Sequence, residues 1–70
     1  MADVRAEMSA SVFRSDVTQG ADVGAGDVLV ILESMKMEIP VLAEAAGRIE
    51  ELLVKEGDIV EEGALLARIL

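Results

Sequence analysis

The chain has 70 residues, with no cysteine, no histidine, no Trp or Tyr and a single Phe. A chain this short buries only about 60% of the surface its unfolded form exposes, so without disulfides it depends on an aliphatic core of Val, Leu, Ile, Ala and Met. The net charge of −8 argues against nucleic acid, whose phosphates are held by Lys and Arg, and against an anionic membrane surface, while the missing histidine argues against a self-contained hydrolase or a metal centre.

Taken from the start, Val4, Ala6 and Met8 alternate with Arg5 and Glu7, a period of two that predicts a short half-buried strand. Val12 to Val17 carries β-branched residues and Phe13 and predicts a second. Gly20 to Asp27 is dense in Gly and Asp, the residues that accept positive φ or bond their own backbone, and predicts turns. Val28-Leu29-Val30-Ile31-Leu32 predicts a buried strand. It is also the longest unbroken apolar run, far below the ~20 residues that span a bilayer. With no basic, apolar leader at the start, the expectation is one cytoplasmic domain, residues 1–70.

Glu33-Ser34-Met35-Lys36-Met37-Glu38 holds one of the chain's two lysines. Most surface lysines only add solubility, but a solvated lysine has no need of two large unbranched apolar neighbours. Lys36 is also the single cation between Val28 and Leu42. Pro40, which has no amide hydrogen to donate, suits an edge strand or a bulge.

The second half is ambiguous by local pattern. Ile49, Leu52 and Leu53 fall at i, i+3 and i+4, so Arg48 to Glu56 would pass for an amphipathic helix. Ala64 to Leu70 is acceptable as helix too, and an α/β arrangement stays open at this level. An internal repeat decides between them. Shifted by 37 positions, Val17 meets Val54, Gly20 meets Gly57, Val23 meets Val60 and Gly26 meets Gly63. Val12 then meets Ile49, and Val28, Leu29 and Leu32 meet Leu65, Leu66 and Ile69. Matches at turn glycines and apolar positions mark a repeated supersecondary unit. If the first copy is strand and turn, so is the second, and the two bury each other's apolar faces as packed sheets.

At the central hexapeptide the chain resembles the biotinyl attachment domains, or biotin carboxyl carrier proteins, of biotin-dependent carboxylases. Their signature is Met-Lys-Met preceded by an acidic-small pair, here Glu33-Ser34 before Met35-Lys36-Met37. The resemblance covers nearly the whole chain and is closest to the small free-standing biotin/lipoyl attachment proteins of bacteria. It implies an all-β fold: a flattened barrel or sandwich of two four-stranded antiparallel sheets with a quasi-two-fold axis, the termini at one end and the lysine on a tight hairpin at the other. Two-residue hairpins favour Asn-Gly or other Gly-containing pairs, and Met35-Lys36 is neither. Only the resemblance places the break there.

The resemblance further implies a non-catalytic carrier with no catalytic or metal residues. Lys36 would be biotinylated by a biotin protein ligase and would carry carboxybiotin between a biotin carboxylase and a carboxyltransferase. An ordinary lysine amine is protonated at neutral pH and is then no nucleophile, so the activation comes from the ligase, as an adenylated biotin. Tethering raises the local concentration of the cofactor, toward the mM range for a short linker. Met35 and Met37 would frame the lysine for the ligase with adaptable thioethers, the alternative being that one of them packs into the core. Glu33 and Glu38 would steer basic partners, unless they are merely solvated. Lys55, without methionine neighbours, is expected to stay unmodified, and Glu61-Glu62 to be a solvated turn. Two other functions remain open: a lipoyl carrier on the same fold, and a biotinylated interaction module with no carboxylase partner.

The chain departs from the family pattern in three places. It has Ser9-Ala10 where members often have Gly. It has Gly20-Ala21, with Asp22 one place late, where Gly-Asp is common. It also has no insertion before Val28, so the protruding thumb of some carriers is missing.

Overall fold

The computed structural model describes residues 2–70. Eight strands follow one another in the order β1 Ala2–Arg5, β2 Ala10–Ser15, β3 Asp22–Val23, β4 Val28–Ser34, β5 Met37–Leu42, β6 Gly47–Leu52, β7 Ile59–Val60 and β8 Leu65–Ile69. They form two four-stranded antiparallel sheets. Sheet one has the order β1-β8-β6-β3 and sheet two the order β5-β4-β2-β7. The inner faces enclose a core in which Leu29, Leu32, Ile49, Leu66 and Val30 are fully buried.

The repeat extends to the pairing. Leu32 lies opposite Ile39 and Ile31 opposite Pro40; 37 positions on or back, Ile69 lies opposite Ala2 and Arg68 opposite Asp3. Val12 opposite Leu32 is likewise matched by Ile49 opposite Ile69. Turn backbones agree as closely, with φ of 93° at both Gly20 and Gly57 and of 89° and 88° at Gly26 and Gly63. The displaced Asp22 therefore leaves the first-copy turn unchanged. An aspartate fastens one turn in each half: Gly24 N donates to Asp27 Oδ2 at 2.8 Å, and Lys55 N donates to Asp58 Oδ2 at 3.0 Å.

The helical reading of the second half gives way to strands for a specific reason. β6 carries a bulge between Ile49 and Glu51, and a bulge inserts one residue that the partner strand does not match. Ile49 and Leu52 consequently both reach the core, and the i, i+3 spacing that imitates a helix is the trace of that bulge. The opening strand is shorter than the alternation predicts. It ends at Arg5, because Ala6 begins the crossing from sheet one to sheet two. Ala6 remains buried, bonded through its backbone to Gly63 and Ala64, whereas Met8 is exposed. Pro40 sits in β5, an edge strand.

Gly47 is required by space. A Cβ there would collide with the Leu70 carbonyl oxygen and the Ile69 side chain. Gly47→Ala is expected to lower stability by about 1–3 kcal/mol, the usual cost of overpacking, read as a lower urea midpoint at unchanged m-value.

The same contact orients the molecule. β5 runs from the Met35–Lys36 turn for six residues, about 20 Å at strand rise. The chain then reaches Gly47 beside Leu70. The turn therefore lies at the opposite end from Ala2 and Leu70 in a body 31 Å long and 17 Å across.

Candidate functional site

Ser34 pairs with Met37, leaving Met35 and Lys36 as a two-residue loop between β4 and β5. Their φ values are 52° and 65°. Positive φ at both central residues is the type I′ arrangement, whose twist matches that of the flanking strands. Non-glycine residues enter this region at a cost of roughly 1–2 kcal/mol each, and no other non-glycine residue among those described does so. The unfavourable turn falls on the residues that sequence reasoning singles out. Met35→Asn, a side chain that tolerates this backbone, is expected to stabilise the chain by up to about 1 kcal/mol. It is also expected to slow modification of Lys36 if the thioether is read by a ligase. Thermal melts and a modification time course separate the two effects.

Lys36 is exposed, and among the described residues it takes part in no ion pair. Met35 is 92% exposed and Met37 65%, so neither methionine fills the core. Alternation along β5 puts Met37 on the side of Ile39 and Val41, which pack against the core, and Glu38 on the outer side. Glu33 and Glu38 lie directly opposite each other on neighbouring strands, an arrangement that destabilises like charges. Neither has an ion-pair partner among the described residues. Ser11 Oγ donates to the Glu33 carbonyl oxygen at 3.4 Å and ties β2 to this end of the hairpin.

Lys55 occupies a different setting, a turn closed by Asp58 N donating to its carbonyl oxygen at 3.0 Å. Glu61 and Glu62 are exposed in a turn, and no group of three or more potential metal ligands occurs among the described residues. A groove of about 520 Å³ separates edge strands β1 and β5, with Val4, Leu32, Ile39 and Val41 in its lining; no residue of the central hexapeptide lines it. Sequence reasoning assigned no functional role to Phe13, Leu42 and Ile59, exposed apolar side chains of sheet two. The signal lay in the repeat, where their counterparts are Glu50, Arg5 and Asp22.

Among the described residues, Lys36 thus presents an exposed amine without an ion pair at the tip of a two-residue turn on a β-body. Residues 1–69 match the model of the biotin/lipoyl family, described as "Biotin-requiring enzyme". The biotinylated protein TB7.3 homolog of Mycobacterium leprae is 55% identical over 65 residues, covering 93% of this chain and 92% of that protein. Among solved structures, the urea carboxylase of Kluyveromyces lactis superposes with a TM-score of 0.91 at 35% identity over 99% of this chain, which spans 6% of that enzyme. The lipoyl domain of the 2-oxoglutarate dehydrogenase complex of Azotobacter vinelandii superposes with a TM-score of 0.86 at 30% identity, covering all of this chain and 96% of that domain. The chain belongs to the biotin/lipoyl attachment family.

Proposed function

We propose that residues 1–70 form a single biotin carboxyl carrier domain, cytoplasmic and non-catalytic, with Lys36 as the attachment residue. The observation that carries this reading is the Lys36 amine, exposed on a two-residue turn between two exposed methionines. The amine is free of ion pairs among the described residues and fits an acyl acceptor. Lys36 Nζ gives up a proton to the ligase and takes the biotinyl group from its adenylate. An amide bond forms, the acyl–phosphate bond breaks and AMP leaves. Once bound, biotin supplies the capacity to hold a carboxyl group, which a biotin carboxylase loads and a carboxyltransferase unloads. Similarity to a protein named as biotinylated and to a segment of a urea carboxylase supports the choice of cofactor and partners. Met35 and Met37 supply the apolar contacts for the ligase, and Glu33 and Glu38 the charge that attracts basic groups on the partner enzymes.

The likeness to a lipoyl domain favours a second reading, in which Lys36 carries lipoate for acyl transfer. Intact mass after incubation with ATP and either a biotin ligase plus biotin or a lipoate ligase plus lipoate decides between them. A single biotinyl adduct with no lipoyl adduct is the expected outcome; the reverse would assign the chain to acyl transfer.

A further inference from the structure

The internal repeat allows each outward side chain of one sheet to be compared with its counterpart on the other. On sheet one the charged outer positions are Asp3, Arg5, Asp22, Arg48, Glu51 and Arg68, and Leu65 shares this face opposite Arg5. Four of the five ion pairs among the described residues lie on this face: Arg5–Asp3 at 3.5 Å, Arg68–Asp3 at 3.7 Å, Arg68–Glu51 at 3.3 Å and Arg48–Asp22 at 3.3 Å. On sheet two the same positions are Pro40, Leu42, Ile59, Ser11, Arg14 and Ile31. Phe13, at the bulge of β2, stands where Glu50 stands in the other half.

The two faces are built on the same backbone, so the fold does not dictate the difference. Stability does not dictate it either, because exposed ion pairs contribute only about 0–1 kcal/mol each. Single exposed apolar residues are ordinary. Here Ile59 at 84% exposure, Leu42 and Phe13 share one face with Pro40, whereas the outer face of sheet one sets its four ion pairs beside Leu65 and the exposed Leu70. At the lysine end this face closes with the row Glu38, Glu33, Ser11, Ile59 across the four strands. It is therefore continuous with the attachment turn, and it carries two carboxylates that lack a cation among the described residues.

A second copy of the chain is a poor occupant, since an isologous pair would set two bodies of net charge −8 against each other. The ligase is also a poor fit, because it must reach Nζ itself and so engages the tip of the hairpin. An enzyme acting on the distal ring meets its substrate at the end of a long arm, and the body has to be held elsewhere. We infer, resting on the biotin reading above, that the outer face of sheet two docks the loaded carrier on the biotin-carboxylating enzyme. That enzyme's matching surface is apolar, with a Lys or Arg set against Glu33 and Glu38.

The test exchanges residues between the faces. Ile59→Asp with Leu42→Arg installs the counterparts Asp22 and Arg5 at unchanged net charge. Asp22→Ile with Arg5→Leu is the reciprocal control. Each chain is biotinylated, and loading is verified by intact mass. It is then used as substrate for a purified biotin carboxylase with ATP and bicarbonate, with ADP release followed against carrier concentration. The swap on sheet two is expected to raise KM for the carrier at least tenfold with kcat unchanged, and the control to stay within twofold of the parent. An unchanged KM in the swapped chain would overturn the inference. So would an equal rise in the control, or a parent carrier used no better than free biotin. Should the double variant fail to fold, Ile59→Asp alone is judged by the same criteria with a threefold rise expected. Failure of the attachment reading is distinguishable, since it is seen already at the mass measurement.

Discussion

Lys36→Arg is expected to take up no biotin from a ligase supplied with biotin and ATP, while the parent chain is expected to gain one biotinyl group. The arginine keeps the positive charge and is as capable as lysine of holding φ near 65°, so the turn is preserved. Its guanidinium stays protonated in any protein setting, and no amide forms. Because the side chain is exposed and makes no ion pair among the described residues, stability should change by no more than about 0.5 kcal/mol. Loss of modification therefore cannot be blamed on unfolding. Intact mass and a thermal melt on the same sample provide the check. Lys55 remains in the variant as an internal control, and a biotin adduct on the arginine chain would move the attachment site there or elsewhere.

Ile49→Ala is expected to destabilise the domain by about 2–5 kcal/mol. Ile49 is completely buried and packs in the core with Leu29, Leu32 and Leu66. Its backbone joins two segments, Gly20 N donating to the Ile49 oxygen and Ile49 N donating to the Ala21 oxygen, both at 2.8 Å. Native domains hold roughly 0.05–0.15 kcal/mol per residue, so a 70-residue chain has little in reserve. Urea titration should show a sharply lowered midpoint or a chain already unfolded in buffer. Ile59→Ala, on an exposed isoleucine, is the matched comparison and should shift stability by less than about 0.5 kcal/mol.

The contrast between these two isoleucines shows which parts of the fold were legible in the sequence. The turn glycines and the 37-residue repeat favoured strands over the local helical pattern of the second half, and Gly57 and Gly63 do take the same backbone as Gly20 and Gly26. The hexapeptide around Lys36 was legible through its composition and the family it resembles, not through hairpin preferences, which Met35 and Lys36 contradict. The β6 bulge was not legible. A bulge is defined by what the partner strand leaves unmatched, and periodicity along one strand carries no record of its partner. The early end of β1 was hidden for a related reason: a chain changing sheets at Ala6 keeps that residue buried and so prolongs the alternation.

The amino-acid sequence by itself determined that this is a small acidic all-β repeat with one lysine set apart, because glycine positions and apolar periodicity report backbone and burial directly. The tertiary structure alone decided which side chains share a face. Phe13, Ile31, Pro40, Leu42 and Ile59 come from four strands and are scattered through the sequence. Cross-strand register brings them onto the outer surface of sheet two, next to Glu33 and Glu38. Register is set by long-range pairing, and that is why the charged and apolar faces emerge only when the two halves are folded against each other.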